Sequence, residues 1–492
     1  MRRLRTESAD IADHIAEKYS PRWLAVGKKG KNSLINGFFA QLKTVACHPY
    51  SSRHGTDPKG SNKGRREEWQ MIKRRGKMIP ALLAIWAVAI VGYVAMMQIE
   101  PSLWAREAQL LPGYEIWLAG GYDTPFGKAL YILANWTECH GLMCWLAGAA
   151  MIGSGIAVHA YLRRNKDKEG IKMYPPAGPG GSYLGMVASG FVGLLVANLL
   201  WGFRFDLAAG VTYLAVFIVC CAVPQAITMT YGNNWKVWLT AGAICGIVQY
   251  PFEELSLWLA NNVLHIPPLV LFTTFVVVGT GLVCVELFKV CPWVRPYVKD
   301  ASARQQTPYV KTDCAPRATS GWLVRRTLAD WTEIMFFGNE WVGAATIAAL
   351  VLSWFLNPMS VVYGTPNLLP GMIACSLMAG SLALFVYEPK YEERGFFNTF
   401  VTVSAALIPF LFFGMNGLPY AASLPLVITS AVLLAFAAPL VCDKCFGWLF
   451  SKLSRRYEGV VLAVLCNAPS IGITVLCCFL MISGLAATGV FF

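Results

Sequence analysis

Apolar residues in this chain come in long runs and not in alternation. The runs lie near 79–98, 141–161, 184–202, 208–230, 237–259, 266–288, 341–357, 367–387, 396–414, 421–442 and 459–485. Most are about 17 to 25 residues long, the length of helix that crosses a hydrocarbon layer of about 30 Å. Lipid cannot hydrogen-bond a backbone, so a spanning run must be a helix or a barrel strand, and barrel strands alternate. The pattern predicts an all-α integral membrane protein, a polytopic bundle of about eleven transmembrane helices.

The polar stretches divide the chain. Residues 1–77 form a basic tail, with amphipathic helices expected at 6–19 and 34–46 and a Gly-, Ser- and Lys-rich linker at 51–66. Two helices follow in 78–162, then a first four-helix half in 183–289. A polar loop, 290–340, separates it from a second four-helix half in 341–443, and one last helix lies in 458–492. In the loop, Trp322, Leu323, Arg325, Arg326 and Trp331 recur at helical spacing, as in a helix lying in the membrane interface. At an offset of 158 residues, Pro251-Phe252 falls on Pro409-Phe410 and Leu282-Val283-Cys284 on Leu440-Val441-Cys442. That register would make the two halves parallel repeats.

Charge sets the orientation. With the tail on the cytoplasmic side, only Arg106, Lys128 and Arg204 of the 41 Lys and Arg fall on the far side. Positive charge collects on the cytoplasmic side of membrane proteins, so the N-terminus is expected inside and the C-terminus outside. The same distribution turns the net charge of +13 into a topology signal and argues against nucleic acid as a partner. Only 14% of residues are charged and 56% are hydrophobic, where a soluble domain carries about 25% charge. The first run starts near Met78, so no secretory signal peptide is expected, and Glu7, Asp10, Asp13 and Glu17 disfavour a mitochondrial presequence. The plasma membrane of a bacterium, its inner membrane, fits these features best.

Chemistry concentrates in Gln249-Tyr250-Pro251-Phe252-Glu253-Glu254, inside the fifth run. An acid at membrane depth is expensive and marks a functional site. Pro251 has no N–H to donate and is expected to kink or break its helix, freeing carbonyls beside two carboxylates. Glu253, Glu254, Gln249, Tyr250 and Pro251 are therefore the expected coupling-ion or substrate site. Asn198, Gln225, Asn398 and Asn467 read as hydrogen-bonding glue between helices.

No cofactor or metal is expected. His140 and His159 flank one run nineteen residues apart and cannot share an ion, and Cys442 and Cys445 have no second pair nearby. Most of the fifteen cysteines sit in apolar runs, as packing residues. Asn135-Trp136-Thr137 matches the glycosylation pattern, which is common by chance. No Walker A, GxSxG or HExxH string is present.

These features favour a secondary transporter of a small polar or organic solute, coupled to a proton or cation and embedded in the lipid bilayer. Two other readings compete with it. One is an anchor or assembly subunit, with the basic tail holding a protein partner. The other is a membrane enzyme acting on a lipid-linked substrate, using Glu138 with His140 or Arg204 with Asp206.

Overall fold

The computed structural model describes residues 75–104, 109–119, 124–165, 183–204, 222–264, 275–303, 319–394, 397–415 and 423–486. Nearly all of these belong to one compact unit, Lys77–Phe492. The expected tail helices and linker lie outside the described residues, as do most of the run at 208–230, the start of that at 266–288, Asp206 and His265.

Among the described residues there are helices and turns and no strand. The long helices are α1 (Ile79–Trp104), α2 (Pro125–Asn135), α3 (Trp145–Arg164), α4 (Tyr183–Leu200), α5 (Val223–Tyr231), α6 (Trp235–Leu259) and α7 (Val277–Val290). They continue with α8 (Arg295–Ala303), α9 (Ser320–Glu333), α10 (Glu340–Leu356), α11 (Leu369–Arg394), α12 (Phe400–Met415), α13 (Leu424–Leu453) and α14 (Gly459–Ala486). Among the described residues, six segments are long and apolar enough to cross a membrane, and a seventh qualifies if Val277–Val290 and Pro292–Ala301, bent by 81°, count as one span. A helix of α6's length would also reach across, but α6 carries Lys236, Glu253 and Glu254. Every predicted run that is described is helical over most of its described length.

The bundle is held by small residues as much as by large ones. α4 and α6 run parallel, because Gly242 meets Ser189 and Val192 while Gly246, one turn on, meets Gly193 and Val196. A methyl group on Gly246 would come within 2.7 Å of the Gly193 carbonyl oxygen and 2.8 Å of Val196 Cβ. Backbone cannot retreat as a side chain can, so this close approach needs glycine. Apolar lipid gives helices no hydrophobic reason to associate, and such small-residue faces supply the contact instead.

Three expectations are corrected. α6 runs through Pro251 without a break and ends at Leu259, followed by a π-turn at Ala260–Leu264. A single lost hydrogen bond is tolerated in a membrane helix where neighbours re-satisfy the freed carbonyl. α9 forms at the place expected of an interfacial helix, but Asp330, Trp331, Thr332 and Glu333 are all buried. Its C-terminal end inserts among its neighbours and does not lie on a surface. The 158-residue register also fails at the element ends: Asn234, which caps α6, would fall on residue 392, near the end of α11.

Gly246→Ala should lower stability by about 1–3 kcal/mol through overpacking. Gly447→Ala, on α13 with open space around it, should be neutral or gain up to about 1 kcal/mol. Unfolding of both variants in the same detergent separates the two outcomes.

Candidate functional site

Two buried polar clusters stand out in this apolar bundle, and one sequence string underlies both. Leu133-Ala134-Asn135-Trp136-Thr137-Glu138 ends α2, and Leu328-Ala329-Asp330-Trp331-Thr332-Glu333 ends α9. The strings differ at one place, and each residue of the second lies 195 positions after its counterpart. Without a gap the match resumes at Gly148-Ala149-Ala150-Met151-Ile152 and Gly343-Ala344-Ala345-Thr346-Ile347.

The two copies fold alike. Thr124 caps α2 by accepting from Gly127 N at 3.0 Å, and Thr319 caps α9 by accepting from Trp322 N at 3.1 Å. After the helix, Gly141 N donates to Glu138 O at 2.8 Å, and Phe336 N to Glu333 O at 2.9 Å. Leu142 N reaches Thr137 O at 3.3 Å, and Phe337 N reaches Thr332 O at 3.0 Å. Both turns pass through a left-handed residue, Gly141 at φ 68° and Phe336 at φ 62°. Phe336 takes a conformation that costs a bulky residue energy, so the turn around it is held by its surroundings. The next helix then packs back on the first, with Gly148 against the Leu133 carbonyl and Gly343 against the Leu328 carbonyl.

The copies also pack on each other reciprocally. Trp136 stands edge-on to Phe337, with ring centroids 5.9 Å apart. Their counterparts, Trp331 and Leu142, share a buried cluster. α3 and α10 run antiparallel: Gly155, midway along α3, faces Phe337 just before α10, while Val362, just after α10, donates to Leu142 O at 2.6 Å just before α3. The two hairpins are thus related by an approximate two-fold axis. His140 Nε2 donates across it to Trp331 O at 2.6 Å.

In the first cluster, Glu138 accepts from Asn135 Nδ2 and from the Tyr363 hydroxyl, each at 3.1 Å. Asn198, from α4, donates to Asn135 Oδ1 at 3.1 Å. Tyr363 is delivered by a strained turn, with Val362 at φ 50° and Tyr363 at φ 53°. A β-branched residue at positive φ is a genuine outlier, and strain of this kind clusters at functional sites. Burial pushes the Glu138 carboxyl well up, the Tyr363 hydrogen bond opposes this, and nearby Glu253 raises it again. Burial lowers His140 to about 4, so its ring is neutral near pH 7.

The second cluster belongs to α9. Arg326 pairs with Asp330 Oδ1 at 2.9 Å and also with Glu333. Thr399 Oγ1 donates to Asp330 Oδ2 at 2.8 Å and lies 2.6 Å from the Tyr391 hydroxyl. The Arg326 guanidinium also sits 5.5 Å from the Tyr391 ring centre. Burial raises both carboxyls, most strongly Glu333, against the pull of Arg326. Among the described residues, no group of three His, Cys, Asp or Glu could hold a metal.

The residues expected to form the site divide. Gln249 and Glu253 are buried, and Glu253 lies close enough to Glu138 for their charges to interact. Tyr250 stacks on Trp201 with centroids 4.7 Å apart. Pro251 and Glu254 are exposed, because adjacent residues point about 100° apart around a helix. Asn135, Trp136 and Thr137 are buried, so this string is no glycosylation acceptor in the folded chain. Sequence reasoning met Glu138 and His140 only as a sparse pair for an enzyme, and placed α9 at the surface. The signal that finds the site is the repeated string itself.

No known family profile matches the chain, and no characterised protein or solved structure matches it either.

A carboxyl whose pKa is higher folded than unfolded keeps a proton that the unfolded chain has lost, so stability falls as pH rises. Wild type should therefore lose stability relative to Glu138→Gln as pH climbs from the ordinary carboxyl value of 4.5. Unfolding midpoints of both proteins across pH test this; a wild-type midpoint that holds level or rises relative to the variant as pH climbs contradicts it.

Proposed function

We propose that this chain is a multi-pass secondary transporter of a small polar or organic solute, coupled to a proton or a cation. The observation that carries the reading is the convergence of two buried carboxyls, Glu138 beside α2 and Glu253 on α6, on one polar region of an apolar bundle. Acids are kept inside a membrane protein at high cost, and proton relays and ion paths are where that cost is met. Antiparallel hairpin copies packed about a shared axis are a recurrent plan of such carriers, with the site at the copy interface. Glu138 and Glu253 carry the coupling ion, Asn135, Asn198, Gln249 and Tyr363 line its place, and Tyr250 on Trp201 closes one edge.

The wider reading has eleven spans, counting the runs at 208–230, 237–259, 341–357 and 396–414 as spans beside the seven above. The N-terminal tail is cytoplasmic, the C-terminus lies outside, and the membrane is the bacterial inner membrane. His140 is a weak candidate for acid–base catalysis, because its Nε2 is committed to the Trp331 carbonyl.

Currents from proteoliposomes on a solid-supported membrane test the proposal, with amino acids, organic acids, amines, sugars and cations as the panel. A solute-evoked current should be lost in Glu253→Gln and in Glu138→Gln and kept in Glu254→Gln. A pH-sensitive dye inside the vesicles covers electroneutral exchange. Silence on both readouts with folded protein sinks the transporter reading. Loss on deleting residues 1–66 alone favours the anchor reading.

A further inference from the structure

One groove on the outer face of the bundle is apolar along its length and charged at one end. It has a volume of about 620 Å³ and lies against α6, where Leu239, Ala243 and Ile247 recur every four residues down one side of the helix. That volume falls within the usual range of small-ligand sites, about 300–1,000 Å³. Trp235 and Lys236 line the groove at the start of α6, and Trp293 lines it from the turn after α7. Leu239, Ile247 and both tryptophans are exposed, so among the described residues nothing closes the groove.

The local sequence builds this groove. Pro292 disfavours the helical region for the residue before it. Cys291 is accordingly extended, at φ −64° and ψ 122°, and the chain from Pro292 to Ala301 runs at 81° to α7. Trp293 Nε1 then donates to Thr240 Oγ1 at 2.8 Å, which pins the turn to α6. The Cys291 thiol donates to Leu287 O at 3.3 Å. With these polar groups satisfied, the Lys236 ammonium is the charged group in the lining. It sits 5.8 Å from the Trp235 ring centre and makes no ion pair among the described residues. A second groove, of about 320 Å³ between α7 and the turn before α14, shows the contrast: its cation, Arg456, is answered by Glu286 at 3.3 Å.

We propose that this groove holds one anionic phospholipid, with its phosphate on Lys236 and an acyl chain along Leu239, Ala243 and Ile247. The inference rests on the bundle spanning a membrane and not on transport. From Lys236 to Ile247 the helix rises about 16 Å at 1.5 Å per residue, which is one leaflet of a hydrocarbon layer about 30 Å thick. Trp235 and Trp293 stand at the charged end, and tryptophan favours the level of the headgroups. Beyond Trp293, Arg295 and Lys299 are exposed on α8 with Asp300 as the one acid, so this end stays net positive. Lys and Arg collect on the cytoplasmic side, whose leaflet carries anionic lipid. A zwitterionic lipid fits the same wall but brings its own cation against Lys236. A free phosphate ion meets the ammonium and leaves the apolar wall uncovered.

Native mass spectrometry of the full chain in detergent counts bound lipids one at a time. Dioleoyl phosphatidylglycerol and dioleoyl phosphatidylcholine, which share their acyl chains, are the probes. The first phosphatidylglycerol should bind about fivefold or more tighter than the first phosphatidylcholine, as expected for one cation beside an anionic headgroup. Lys236→Gln should remove that preference. Lys444→Gln, at an exposed lysine on α13, should leave it in place. Ala243→Leu puts a larger side chain into the groove and should weaken binding of both lipids. Equal affinities for the two lipids in wild type, a preference unmoved by Lys236→Gln, an equal loss in Lys444→Gln, or unchanged binding in Ala243→Leu overturns the proposal. If Ala243→Leu does not fold, the comparison of Lys236→Gln with Lys444→Gln decides. A second polypeptide that co-purifies with wild type and is lost from Ala243→Leu would make the groove a protein interface and overturn the lipid assignment as well.

Discussion

A carboxyl taken out of water must be answered from inside the protein, by a proton, a cation or donated hydrogen bonds. That constraint organises this molecule. Glu138, Glu253, Asp330, Glu333 and Glu388 are all buried in a chain whose interior is mostly apolar. Around Glu333 the answer is Arg326, backed by Thr399 and Tyr391. Around Glu138 it is a pair of neutral donors, Asn135 and Tyr363. Glu138 and Glu333 both sit where a helix stops inside the bundle. The repeated Trp-Thr-Glu turn makes that break twice.

Reciprocal packing makes the breaks affordable in structural terms. Each copy sets its Trp near the residue that follows the other copy's turn, Trp136 on Phe337 and Trp331 in the cluster of Leu142. Both tryptophans are fully buried and rank among the largest side chains in the interior. Loss of either would open a void and free the partner turn. The His140 bond to the Trp331 carbonyl ties the two turns directly, so the polar clusters share one mechanical frame while differing in charge.

Much of the helical plan could be read along the chain, because hydropathy over a membrane-length window is set by the solvent and not by the neighbours. The runs at 79–98, 141–161, 184–202, 367–387, 421–442 and 459–485 all lie on helices apolar enough to span. Burial was harder to read. α9 carries Arg325, Arg326, Asp330 and Glu333, a composition that looks like a surface until Arg326 is known to fold back onto the two acids. Glu253 and Glu254 are alike as letters, and only the rotation of α6 sets one inside and the other out. The 158-residue register misled because apolar helices match by chance. The 195-residue register rests on Trp and Glu, residues that seldom coincide, and it lies across the breaks between helices where hydropathy gives no signal.

The two hairpins are antiparallel copies, so equivalent residues should face opposite sides of the membrane. Phe126 and Gly321 are such a pair, one residue into α2 and α9, and both are exposed. With the accessible native cysteines replaced, a single cysteine at each position can be reacted with a membrane-impermeant maleimide in sealed, right-side-out and inverted vesicles. Labelling of 126 from one side only and of 321 from the other side only is the predicted result. Labelling of both positions from the same side would contradict the antiparallel relation and the site built on it.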